Sequence, residues 1–170
     1  MIVVAIIGVM SALAIVGYRK YVNAAQSSEA KAMIQGIRVG EEAYKAEMLV
    51  YVSCSTSLTD YYPQKPNDTK MNWVQPGDKR YTDPTTGWQL LNVAADGPVR
   101  FGYAVVAGIA PANFPQTDMQ KQPGGWPPKL QAGTPWFVVQ AANQRPGSSI
   151  KTVFVSTSVS SEILMENDGG

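Results

Sequence analysis

The sequence predicts an α+β fold in which one long N-terminal α-helix packs on an antiparallel sheet of four or five strands. Three observations lead there. No proline occurs before Pro63, and helical texture persists from residue 1 to about Tyr51. The second half of that stretch carries a single apolar stripe, which needs a surface to cover. Beyond residue 88, short β-branched and aromatic runs are punctuated by the turn dipeptides Asp96-Gly97 and Pro146-Gly147. The implied division is a helix over 1–51 and a globular head over 52–170.

The helix has two parts, 1–18 and 19–51. Residues 1–17 read MIVVAIIGVMSALAIVG, and the first charged residue is Arg19, followed by Lys20. A run of about 18 residues spans ~27 Å of helix, near the thickness of a bilayer's hydrocarbon core. Three readings are open on composition alone. One is a cleaved secretory signal, with Ala12-Leu13-Ala14 as its small-x-small site but no basic segment before it. Another is a membrane anchor on an extracytoplasmic domain, with Arg19 and Lys20 at the interface. The third is a segment that first spans a membrane and is later buried among identical helices, with Ile2, Val3, Val4, Ile6, Ile7, Val9, Leu13 and Ile15 as the contact residues.

In residues 19–51, Met33, Ile37, Tyr44, Met48 and Tyr51 recur at helical spacings. They are the expected contacts between helix and sheet. Arg38 with Glu42, and Glu41 with Lys45, have the spacing of opposite-charge pairs on an exposed face. Gly36 and Gly40 form a small-xxx-small pair that permits close approach, either to another helix or to the chain's own sheet.

Residues 52–87 are rich in Ser, Thr, Asp, Asn and Pro and read as a loop from helix to sheet, anchored by Tyr61, Tyr62, Trp73 and Tyr81. The sheet is expected over 88–167. Its first hairpin would pair 88–94 with 99–107 around Asp96-Gly97, with Phe101, Tyr103 and Val105 alternating. A second would pair 136–142 with 150–158 around Pro146-Gly147, and 162–167 would add a short final strand. Between the hairpins, 108–135 holds six prolines and four glycines, with Trp126 among them. This composition predicts an irregular loop on the outside of the head, facing a neighbouring subunit or solvent.

The sequence offers little for catalysis. It has no histidine, and Cys54 is its one cysteine, which reads as a small buried side chain. Fourteen basic and thirteen acidic residues nearly cancel, so no specific nucleic-acid partner is expected. No phosphate loop or nucleophile elbow occurs. Asp96 and the acidic Glu166-Asn167-Asp168 read as a solvated turn and tail, not as a calcium loop. The expectation is a protein that is not an enzyme and takes no cofactor or metal.

MIVVAIIGVMSALAI, continuing through Tyr18-Arg19-Lys20-Tyr21, closely resembles the N-terminal segment of type IV pilins and pseudopilins. Glu42-Ala43-Tyr44-Lys45-Ala46-Glu47 with Tyr51 resembles the end of the long pilin helix. Phe154-Val155-Ser156-Thr157-Ser158 and Ile163-Leu164-Met165-Glu166-Asn167 resemble the last two strands of some Gram-negative pilins. In that family the segment begins Phe-Thr-Leu-Ile-Glu after a processing site, and this sequence starts just after that stretch. The family's glutamate, thought to pair with a neighbour's N-terminal amine, is thus absent. Either the sequence is truncated or packing alone sets the order of subunits. Val16 stands where many pilins have proline, so at most partial melting of 8–17 is expected in a filament.

The resemblance implies a pilin fold and a structural subunit of a type IV pilus, serving attachment, twitching motility or both. It implies a subunit that is processed and N-methylated, and partners that are identical subunits in a helical homopolymer together with an inner-membrane assembly machinery. It also implies an inner-membrane location before assembly and an extracellular filament (fimbrium) afterwards. A type II secretion pseudopilin, a minor pilin or a membrane-anchored extracytoplasmic binding domain are the alternatives.

Overall fold

The computed structural model describes residues 2–83 and 87–167. Helix α1 (Ile2–Met48) runs unbroken for 47 residues, about 70 Å at 1.5 Å per residue. It stops three residues short of the expected end. Leu49 turns to a positive φ of 63°, while its N–H closes the last turn on the Lys45 carbonyl at 2.8 Å. A left-handed residue at this place is a common way for a helix to end.

Four strands follow in chain order and in spatial order: β1 (Gly102–Ile109), β2 (Pro135–Gln144), β3 (Lys151–Thr157) and β4 (Ser160–Glu166). All neighbours are antiparallel. The result is the α+β arrangement predicted above, a long helix on a four-stranded antiparallel sheet, and it is consistent with a pilin fold. The hairpin around Pro146-Gly147 forms as β2–β3, and the short final strand forms as β4.

The expected hairpin around Asp96-Gly97 does not form. Trp88–Leu91 is instead a 3₁₀ turn, closed by Asn92 in the left-handed region. In a 3₁₀ turn, residues i and i+3 fall on one side, so Trp88 and Leu91 enter the core together, 0% and 3% exposed. Val99 pairs only with Met71, in an isolated bridge. The loop from helix to sheet therefore extends to residue 101, and it contains a one-turn helix, α2 (Lys79–Thr82).

The sheet is covered on both faces. Phe101, Tyr103, Val105, Phe137, Val139 and Phe154 meet α1 and the aromatic residues of the first loop. Ala104, Trp136, Val138, Val153 and Val155 meet Leu58, Tyr61, Phe114 and Met119. Phe114 and Met119 belong to 108–135, so that loop serves as a second cover for the sheet and is not simply an outward projection. Phe114 stacks on Trp136, with ring centroids 4.2 Å apart. A polar network fixes it: the Asp118 carboxylate accepts from Tyr61 Oη (2.8 Å) and Lys151 Nζ (2.6 Å), and Asp118 N donates to the buried Gln140 side chain (2.8 Å). The Glu166 carboxylate accepts from the backbone N–H of Gln120 and of Lys121 (2.7 and 3.1 Å). The first loop also lies along the free edge of β1, where Tyr62 and Tyr103 exchange two backbone hydrogen bonds of 2.7 Å. That pairing limits the edge's ability to recruit foreign strands.

Candidate assembly helix and its docking face

Every expected assembly residue is exposed. Ile2, Val3, Val4, Ile6, Ile7, Val9, Leu13 and Ile15 lie between 55% and 79% exposed, and no residue of the segment touches the head. Burying one such side chain is worth about 1.5–3 kcal/mol. Eight of them on one helix are a strong drive toward lipid or other apolar helices. The segment is long and apolar enough to cross a membrane. Arg19 and Lys20, both exposed, stand where its charge-free stretch ends.

Docking begins about two helical turns later than the charges. Ser27, Ala30, Met33, Ile34, Ile37 and Glu41 are the buried residues of α1. Met33 and Ile37 are buried in the core, 9% and 0% exposed. Tyr44 is half-buried against the core. Tyr51 also docks, 8% exposed, but from outside the helix. Its hydroxyl donates to Glu42 Oε1 (2.8 Å) and accepts from Lys45 Nζ (2.9 Å), and its ring meets Phe137 edge-on with centroids 4.8 Å apart. Met48 does not dock: it is 57% exposed, because the helix ends there.

The row that docks is 30, 33/34, 37, 41 and 44, the i, i+3, i+4, i+7 pattern of one helix face. Ala30 and Glu41 were not legible as members, one for being small and the other for being charged. Ile34 was a findable omission, adjacent to Met33 and in register with Ala30 and Ile37.

Glu41 overturns the expected exposed pair with Lys45. Its Oε2 accepts from Val52 N at 3.0 Å, and its Oε1 has no partner among the described residues. Burial pushes its carboxyl up to about 8, against an ordinary value of 4.5. Arg38 likewise leaves Glu42 and donates to Ser156 Oγ (2.6 Å) and the Ser160 carbonyl (2.8 Å), tying α1 to β3 and β4. Cys54 is 3% exposed, and burial together with the nearby Glu41 raises its thiol well above the ordinary range. That opposes thiolate chemistry.

The glycine pair divides. A side chain on Gly40 would sit 2.5 Å from the Leu91 carbonyl oxygen, so its bareness lets α1 approach the 3₁₀ turn. Gly36 faces open space. Among the described residues no three His, Cys, Asp or Glu side chains gather as metal ligands. Asp96 is exposed, and Asp168 lies outside the described residues.

The geometry thus presents one helix with two surfaces, one committed to the head and one without any contact inside the chain. The chain matches no protein-family model, no curated protein and no solved structure.

Proposed function

We propose that this chain is a structural subunit of a type IV pilus filament that polymerises through residues 2–17 of α1. The observation that carries the reading is the exposure of Ile2, Val3, Val4, Ile6, Ile7, Val9, Leu13 and Ile15 on a helix continuous with the head. Lipid satisfies this surface before assembly, and the same surfaces of identical subunits satisfy it afterwards. The rigid continuation of α1 then sets each head at a fixed distance outside the core. In this reading the subunit waits in the inner membrane, is extracted by an assembly machinery, and ends in an extracellular filament serving attachment or twitching motility. The chain acts by packing, without catalysis or cofactor.

Electron microscopy of material sheared from producing cells tests this. Thin filaments that bind an antibody to the head, and that disappear on gene deletion, support the proposal. A chain that remains in the membrane fraction with no labelled filament contradicts it and favours an anchored extracytoplasmic domain.

A further inference from the structure

Beside the 3₁₀ turn lies an open groove of about 510 Å³ that the assembly surface does not use. Its size falls within the range of small-ligand sites, about 300–1,000 Å³. Asn72, Gln89, Asn92 and Asp96 line it, with Trp73 and Tyr81 as its aromatic part. All four polar residues are exposed, and their side chains make no hydrogen bond to another described residue. Three of the four are neutral amides, each able to donate and accept.

The aromatic part is held firmly. Trp73 Nε1 donates to the Val93 carbonyl at 2.8 Å. Its ring packs edge-on against Tyr62 and Trp88, with centroids 5.1 and 5.3 Å away. Tyr81 stacks on Tyr62 at 6.1 Å with planes 16° apart and stays half-exposed. The aromatic part is thus in place before any ligand arrives, and the exposed amides beside it would be ordered by the ligand they bind.

The chemistry narrows the ligand. Among the described residues no lysine or arginine lines the groove, and the Asp96 carboxylate is its one charge. Phosphate, sulfate and nucleic acid therefore meet no counter-charge there. A wholly apolar ligand would strip water from four polar side chains and return no hydrogen bonds. A neutral polyhydroxylated ligand fits both constraints: its hydroxyls pair with the amides and the carboxylate, and its C–H face lies on the tyrosine ring. We infer that the groove between residues 72–81 and 89–97 binds neutral carbohydrate. The inference stands on the head alone and is independent of whether the chain polymerises.

The test uses the full chain reconstituted in phosphatidylcholine vesicles, prepared without sugar-based detergent. The vesicles are passed over immobilised neutral hexose and N-acetylhexosamine oligosaccharides, with sulfated oligosaccharides and bare beads alongside. Retention on at least one neutral oligosaccharide, released by the same sugar in solution, is expected. The double substitution Asn72→Ala/Gln89→Ala should weaken that retention by about tenfold or more, since it removes two hydrogen-bonding side chains. Asp96→Asn provides a second, isosteric probe and should weaken it by a smaller factor. Lys129→Ala, on the opposite loop, should leave it unchanged, and thermal melting of each variant reports whether the head is intact. Failure to retain any neutral oligosaccharide, preference for the sulfated ones, or full retention by folded Asn72→Ala/Gln89→Ala and Asp96→Asn would each overturn the inference.

Discussion

The two halves of α1 share a helix and differ in almost everything else. Residues 2–17 are apolar all round and touch nothing in the chain, whereas Ser27 to Glu41 place six residues in the head's core and leave charged and small residues outside. A helix without a polar face cannot be satisfied by one sheet. The first half therefore needs surroundings that are apolar on every side, while the second half fixes where those surroundings lie relative to the head. Hydropathy alone describes the two as one element; burial separates them into an exposed apolar surface and a docking surface.

That separation can be broken from either end. Ile7→Asp should produce the largest effect: loss of filaments in sheared material, with the head's melting temperature unchanged, because Ile7 is 59% exposed and contacts nothing in the head. An aspartate at the middle of an apolar helix costs roughly 2.5–3.5 kcal/mol on insertion scales. Abundant filaments from this variant would refute the role assigned to residues 2–17.

Ile37→Ala tests the other half. Ile37 is 0% exposed, and removing such a side chain typically costs about 2–5 kcal/mol of stability. Denaturant unfolding of the full chain in vesicles, followed by tryptophan fluorescence, measures it. Ile7→Ala in the same assay should cost the head nothing.

Glu41 lends the docking surface a pH dependence that residues 2–17, without ionisable side chains, lack. Its folded-state carboxyl sits near 8 and its ordinary value is 4.5, so between these the folded chain binds the proton more strongly than the unfolded chain. Its contribution is fully present below about pH 4.5 and declines as pH rises through 8, by an amount on the order of a few kcal/mol. Glu41→Gln keeps an acceptor for Val52 N and should flatten this part of the stability-against-pH curve, raising stability at pH 8. An unchanged slope would show that Glu41 is not the group responsible.

The smallest contrast is between the glycines. Gly40→Ala should destabilise the head by about 1–3 kcal/mol, because the new methyl meets the Leu91 backbone. Gly36→Ala, into open space, should stabilise it by up to about 1 kcal/mol. Melting temperatures that move in the same direction for both would contradict the packing described.

What could be read from the sequence follows from how local its causes are. The long helix was legible because apolar spacing, absent prolines and composition act residue by residue; so were β2, β3 and β4, whose alternation and Pro146-Gly147 turn lie close together. Residues 88–94 were misread as a strand because Trp88 and Leu91 satisfy a strand's composition while their burial at i and i+3 depends on α1 and Gly40. Glu41 was misread because a charge in a docking row is chosen by a partner eleven residues away, Val52 N. The 108–135 loop was read as outward because proline and glycine report backbone irregularity and say nothing about Phe114 or Met119 reaching the sheet. The exposure of the apolar residues in 2–17 needed no tertiary information: it follows from a segment with too much apolar surface for the head to cover.

Helical reconstruction of the filament is the most direct test of the central claim. The account predicts residues 2–17 packed against identical helices around the axis, with residues 27–41 joined to the head at larger radius. Residues 2–17 on the filament's periphery, or a chain that stays a single copy in the membrane under conditions that yield filaments from the same cells, would contradict it.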